Sequence, residues 1–263
     1  MSIVAMIGIH SQSFKKYIQA TGGDITTNGD YKTHTFTAND TFSVSDIGDD
    51  GLADVLVVGG GSGGGKSIST SNIAGPGGAG GLVYIQNKAI SATSYSIVIG
   101  AGTTGMTTTT LGANGGDSTA MGLTAKGGGK GGKTGAVGSF CNGSAGGCGG
   151  GSARYSTSNG VGGTANQSSQ SGDSGAYGRG YNGGGSVSGD GGGGGGGAGS
   201  AGANSAVGGS GYTIDGVVYC IGGTKGTSDT PTGYGHGGNV YNGNGNGYAG
   251  KDGVVTIKYK FQN

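Results

Sequence analysis

Residues Gly60-Gly61-Ser62-Gly63-Gly64-Gly65-Lys66-Ser67 match the pattern G-x-x-x-x-G-K-S and follow the apolar run Val55–Val58. That is the order in which a nucleotide-binding loop is built. Such a loop cradles phosphates on its N–H groups and must open a helix whose dipole faces them. The following stretch, Ile68-Ser69-Thr70-Ser71-Asn72-Ile73-Ala74-Gly75-Pro76, is a poor helix former. Where glycine is this frequent, a Lys-Ser pair at the right offset is enough for a match, and the many G-x-G-x-x-G matches carry no information for the same reason. His10, His34 and His236 lie far apart, and no Cys/His pair has zinc-ligand spacing. Cys141 and Cys148 sit among glycines and read as small apolar fillers. Asp173, Asp190 and Asp229 stand alone in polar loops, without the paired carboxylates or nucleophile–base sets that hydrolysis calls for. The expectation is a protein that is not an enzyme and uses no metal or cofactor.

Aromatic and arginine side chains in the loops are the other chemistry-bearing set. They are Phe140, Arg154, Tyr155, Tyr177, Arg179, Tyr181, Tyr234, Tyr241 and Tyr248, placed among Ser, Gly and Asn. Tyrosine offers a rigid contact with a hydrogen-bonding tip beside adaptable small residues, the composition of surfaces that recognise proteins or glycans. About half are expected to bind and the rest to be structural, with Arg154, Tyr155, Tyr177, Arg179 and Tyr181 the leading cluster. Residues 1–20 have a helix-like character through Phe14–Gln19, with an N-cap at Ser11 or Ser13. Ile3, Met6, Ile7, Ile9, Phe14 and Tyr17 then either dock on another protein or tie the terminus to its own domain.

These residues must be positioned by an unusual chain. Glycine occupies 73 of 263 positions, 32% of residues are hydrophobic, and there is no Trp. Such a composition cannot fill an ordinary core of this size. With 10% charged residues, two prolines and thirteen tyrosines, the chain also departs from disordered sequences. Collagen is excluded by irregular glycine spacing and scarce proline. A net charge of +1 with scattered cations offers no stripe for nucleic acid. The apolar run Ile3–Ile9 has no preceding cation and no cleavage site, so it does not read as a secretory signal. No apolar segment approaches the roughly 20 residues that span a bilayer, so no membrane insertion is expected. Three cysteines are too few and odd for a disulfide framework and suit a reducing cytosol.

Residues 31–44 alternate, with Tyr31, Thr33, Thr35 and Thr37 on one face and Lys32, His34 and Phe36 on the other, predicting a β-hairpin around Ala38-Asn39-Asp40. Further β-branched runs occupy 54–58, 82–85, 95–99, 216–221 and 253–259. Between them lie glycine runs, the longest Gly191–Gly197, separated by polar segments such as 164–174 and 224–234. Extended left-handed helices of three residues per turn leave every N–H and C=O pointing outward, and such helices can bond side by side only where no side chain intervenes. The fold class expected is mainly irregular and β, a small sheet or sandwich framing a stacked polyglycine II helix bundle. Residues 1–25 form an N-terminal docking segment and 26–105 a β-rich framing region with the first glycine runs. Residues 106–252 form the polyglycine II domain with variable loops, and 253–263 a C-terminal strand closing the framing sheet.

The order ADVLVVGGG (53–61), GPGGAGGLVY (75–84), SIVIGAG (96–102), TAKGGGKGG (124–132) and GVVTIKY (253–259) resembles the glycine-rich domain of bacteriophage tail-fibre tip adhesins of the T-even type. The resemblance covers roughly residues 30–260, whereas the first 25 lack the tryptophan-bearing attachment segment of that family. It implies a virion protein at the distal tip of the long tail fibre, made in the host cytoplasm. It also implies receptor binding to a host outer-membrane protein or glycan through loops between glycine-rich helices, and docking of the N-terminus on a trimeric tail-fibre protein. The alternatives are a structural glycine-rich fibre or wall protein without a specific ligand and, last, a P-loop nucleotide hydrolase.

Overall fold

Alternation in residues 31–36 sorts side chains onto opposite faces of a strand, and burial follows it, since His34 and Phe36 are buried while Tyr31 is exposed. A computed structural model describes residues 14–135, 137–167, 171–172, 175–176, 178–187, 191–227, 231–241 and 243–262. Its strands begin with β1 (Gln19–Thr21), β2 (Asp24–Asn28), β3 (Tyr31–Phe36), β4 (Asp40–Asp46) and β5 (Leu52–Val58). Then come β6 (Ser67–Ser69), β7 (Leu82–Ala89), β8 (Ser94–Ile97), β9 (Ser118–Ala120) and β10 (Leu123–Ala125). The glycine-rich region holds β11 (Arg154–Tyr155), β12 (Ser158–Asn159), β13 (Ser171–Gly172), β14 (Gly175–Ala176) and β15 (Gly178–Arg179). Last are β16 (Tyr212–Ile214), β17 (Val217–Tyr219), β18 (Gly243–Gly245) and β19 (Val254–Lys260).

Two sheets share one apolar core. The larger has the order β15-β7-β5-β19-β3-β2 and the smaller β1-β4-β8, with all pairings antiparallel. One face of the larger sheet contributes Phe36, Val55, Val57, Val83, Ile85, Val255, Ile257 and Tyr259, and the smaller contributes Phe42, Val44 and Ile97. Burial of each such side chain stabilises by about 1.5–3 kcal/mol. β19 lies between β3 and β5, so residues near the end of the sequence sit at the centre of this sheet.

The structure corrects three expectations. β3 and β4 do not form a hairpin, because β3 bonds β19 and β2 while β4 bonds β1 and β8. The chain arches from one sheet to the other, and Phe36 and Phe42 meet edge to face at 6.3 Å between them, so ring packing outweighs the local turn. No helix forms over 14–19; Phe14–Ile18 are irregular and β1 begins at Gln19. Ile18 is buried in the core and Ala20 pairs with Val44, contacts that an isolated short helix could not match.

The third correction concerns the polyglycine II bundle. Among the described residues all regular structure is β, in small antiparallel sheets, apart from one 3-10 turn at Gly138–Cys141. The hairpins β9–β10, β11–β12, β13–β14 and β16–β17 lie within residues 106–252, the stretch expected to form the polyglycine II domain with variable loops. Glycine runs connect them as buried segments bonded to distant backbone. Gly59, Ser62 and Gly65 N–H donate to Gly81, Gly78 and Gly75 O, while Gly60, Gly61 and Gly64 donate to Gly116, Lys251 and Tyr248 O. Successive residues therefore serve different neighbours. A Cβ on Gly61 or Gly64 would overlap the carbonyl of His236 or Asn239, so close backbone approach requires glycine there.

Candidate functional site

The second face of the six-stranded sheet is where chemistry-bearing side chains converge. Strand register puts them in rows, with Thr35 beside Thr256, Thr256 beside Leu56, and Leu56 beside Tyr84. The next row runs Thr26, Thr33, Lys258, Asp54. Alternation dictates this, since every residue flanking a core-facing position points the other way. Towards the glycine-rich body the face is apolar, and Leu56, Val58, Leu82 and Val254 form a second cluster with Cys148, Tyr219 and Cys220. Away from it the face is polar and open.

A hairpin shapes the open part. β16 and β17 turn at Asp215-Gly216, both at positive φ (49° and 79°), as a two-residue Asp-Gly hairpin turn requires. Asp215 reaches the sheet, where Lys258 Nζ donates to its carboxylate at 2.8 Å. That bond raises the Lys258 pKa, and the ammonium also lies 5.3 Å from the Tyr31 ring centre. Between hairpin and sheet is a cleft of about 380 Å³ lined by Thr33, Thr35, Thr256, Tyr31, Tyr84 and Tyr219 among others. Burial raises the pKa of the Tyr84 hydroxyl and pushes that of Tyr219 up to about 12, so both stay protonated.

On the other side of Tyr84, β15 pairs with β7, which brings Arg179 opposite Leu82. The Arg179 guanidinium lies 3.9 Å from the Tyr212 ring centre, within the range of an attractive cation–π stack. Together with Tyr84, Gln86 and Tyr181 it lines a cleft of about 550 Å³. A third cleft of about 210 Å³ adjoins the middle one through Tyr31, Asp54 and Lys258. The three form one groove across the sheet.

The structure brings two of the predicted binding residues, Arg179 and Tyr181, into this groove. Tyr177 lies outside the described residues. Arg154 and Tyr155 belong to the β11–β12 hairpin, where the Arg154 backbone bonds Ile73 in both directions. Tyr234 is half-buried and stacks on Tyr219 at 6.4 Å. Tyr248 is locked through its main chain to Asn239 and Gly64. Tyr241 and Phe140 are exposed, the latter with Lys133 Nζ 5.0 Å above its ring. None of Phe140, Arg154, Tyr155, Tyr234, Tyr241 or Tyr248 lines the groove. Of the docking residues, Ile3, Met6, Ile7 and Ile9 fall outside the described residues, Phe14 is 84% exposed, and Tyr17 is half-buried beside Lys15.

Sequence reasoning missed Tyr84, Tyr212 and Lys258, although Asp215-Gly216 is a hairpin signal that would have placed Tyr212 beside Tyr219. The P-loop match is followed by the strand β6 and not by a helix. Gly60, Gly61, Gly64 and Gly65 N–H groups are spent on carbonyls, Lys66 Nζ bonds Asn246, and Ser67 starts a strand. The described residues contain no cluster of three or more His, Cys, Asp or Glu that could hold a metal, and no helix among them is long and apolar enough to cross a membrane.

Glycine-rich interlocked backbone with a small two-sheet core defines the class. Residues 37–260 match the family described as a glycine-rich domain, and the chain belongs to that family. No curated protein matches it.

Proposed function

We propose that this glycine-rich protein is a receptor-binding adhesin at the distal tip of a phage tail fibre. It grips a host outer-membrane protein or surface glycan and catalyses nothing. The observation that carries the binding reading is the Arg179–Tyr212 stack beside exposed Tyr181, at the mouth of a cleft of about 550 Å³. Arginine and tyrosine held in fixed orientation lose little freedom on binding, which is what anchors contribute. The placement on a phage fibre rests on the resemblance of the glycine runs and their flanking strands, with exposed Phe14 belonging to the segment that docks on the trimeric fibre protein.

Adsorption of purified protein to intact bacteria tests this reading. Arg179→Ala combined with Tyr181→Ala should reduce adsorption at least about tenfold, since two interface anchors each contribute about 1 kcal/mol or more, with the melting temperature unchanged. Undiminished adsorption by the double variant refutes the assignment of this cleft.

A further inference from the structure

We infer that the groove on the open face of the six-stranded sheet takes an uncharged, extended oligosaccharide, lying across β7, β5, β19, β3 and β2. The inference rests on the adhesin reading above and names the ligand class for its site. Its first ground is the hydroxyl lattice. Thr26, Thr33, Thr35 and Thr256 stand on adjacent strands in register, about 4.8 Å apart across the sheet. From Asp54 to Thr26 the open row Asp54, Lys258, Thr33, Thr26 crosses three strand spacings, roughly 14 Å, and the cleft beside Arg179 and Tyr181 lengthens it beyond Tyr84, the reach of a short oligosaccharide and far more than one sugar. Threonine hydroxyls both donate and accept, which suits sugar hydroxyls that do the same.

The second ground is aromatic. Tyr31, Tyr84, Tyr181 and Tyr212 occur along the same groove, and a tyrosine ring gives an apolar face for the C–H side of a sugar with a hydroxyl at its rim. Arg179, flat on Tyr212, extends that platform.

Charge decides between ligand classes. The cations lining the groove are Lys16, Arg179, Lys258 and Lys260, and the carboxylates are Asp50, Asp54 and Asp215. Most are already engaged. Lys258 bonds Asp215 at 2.8 Å, Lys260 lies 4.0 Å from Asp30, and Asp50 pairs with Lys15 at 2.8 Å. Asp54 accepts from the Asn87 N–H and Arg179 rests on a ring. A groove with its charges balanced in this way exerts little pull on a polyanion. A protein ligand would be anchored by aromatic or aliphatic side chains in apolar pockets, whereas the open row here is Thr26, Thr33, Lys258 and Asp54, and the aliphatic Leu56 beside it is already buried against Tyr219. The geometry therefore favours a neutral polyol.

The test uses the whole chain and named probes: maltohexaose, cellohexaose, laminarihexaose and mannohexaose, their trisaccharides, polygalacturonate as a polyanion, and intact bacteria. Calorimetric titration should detect at least one neutral hexasaccharide, bound about tenfold tighter than its trisaccharide because the longer chain adds hydrogen bonds. Thr33→Val with Thr256→Val keeps the β-branched shape and removes only hydroxyls. It should weaken binding about tenfold at an unchanged melting temperature. Tyr31→Ala should weaken it as well, a second reading if the valine pair lowers stability. Binding of polygalacturonate alone overturns the inference. So does adsorption to bacteria that persists in the valine pair while neither the neutral panel nor neutral polysaccharide released from those bacteria binds, and the adhesin reading then stands. Neutral hexasaccharide binding without adsorption to any bacterium has the opposite meaning, upholding the groove and refuting the adhesin.

Discussion

Gly195→Ala is the sharpest probe of how this protein holds together. Gly195 is buried; its N–H donates to Gly223 O at 2.9 Å, and its carbonyl accepts from Gly209 N–H at 2.8 Å. A Cβ there would overlap Gly77 O and press on Gly223 N at 3.0 Å. Both obstacles are backbone, so no side chain can swing aside. Making room requires parting Gly195 from Gly77 and Gly223 by more than an ångström, which breaks the Gly195–Gly223 bond and leaves a buried N–H and a buried carbonyl without partners. Two buried unsatisfied groups cost about 1–3 kcal/mol each. Against this, alanine stiffens the unfolded chain and contributes about 0.4–1 kcal/mol. The net loss is about 1–5.6 kcal/mol, a large share of the 5–15 kcal/mol typical of a folded domain. Urea unfolding with an unchanged slope measures it. Gly112→Ala is the control, because a Cβ there meets only Met106 atoms at 3.6–3.7 Å and should be neutral or slightly stabilising. If both substitutions shift stability equally, the runs are not held by close backbone contact and the argument fails.

Acid should destabilise the fold through His34. Fully buried, its ring bonds Gly22 O at 2.7 Å and the Tyr259 hydroxyl at 2.9 Å, and burial lowers its pKa, with Lys32 adding to the effect. The unfolded histidine takes a proton near its ordinary pKa, about 6.5, while the folded one resists. Stability is then full above that pH and falls as pH drops below it. Urea midpoints at pH 7.5 and pH 5 should differ, and His34→Gln should shrink the difference, with part remaining from His236, which burial also lowers. A midpoint independent of pH over this interval contradicts the prediction. The three cysteines should be silent to a disulfide reagent at pH 8 until the chain unfolds. All are buried, burial pushes Cys148 up to about 12, and it raises Cys220 well above and Cys141 above the ordinary thiol value. Stoichiometric labelling of the folded protein counts against this.

The strands were legible where their residues announce themselves. Leu52–Val58, Leu82–Ala89 and Val254–Lys260 hold β-branched and aliphatic runs bounded by glycine at Gly59, Gly81 and Gly253, and the period-two pattern of Tyr31–Phe36 assigned both faces correctly. What a strand pairs with is a different matter. The Ala38-Asn39-Asp40 turn looks like a hairpin until Phe36 and Phe42 are seen to need the same buried space. The candidate site suffered in the same way. Arg154 and Arg179 lie 25 residues apart in one glycine-rich stretch, yet Arg154 bonds Ile73 while Arg179 lies over Tyr212. Loop composition identified the right kinds of residue, but proximity along the chain is no guide where each glycine run exchanges neighbours at every residue.

The position of β19 has a kinetic and topological side. Val255 pairs with both Phe36 and Val57, so the strand that completes the sheet arrives only after nearly the whole intervening polypeptide has been drawn into a ring. Closing so long a ring costs entropy that grows only with the logarithm of its length, but contacts this distant in sequence slow folding markedly. Once seated, the strand acts as a clasp. A protease cut within the ring would leave two fragments gripping each other through shared sheet hydrogen bonds, and denaturation would release them as separate pieces that must find each other at a rate set by their concentration.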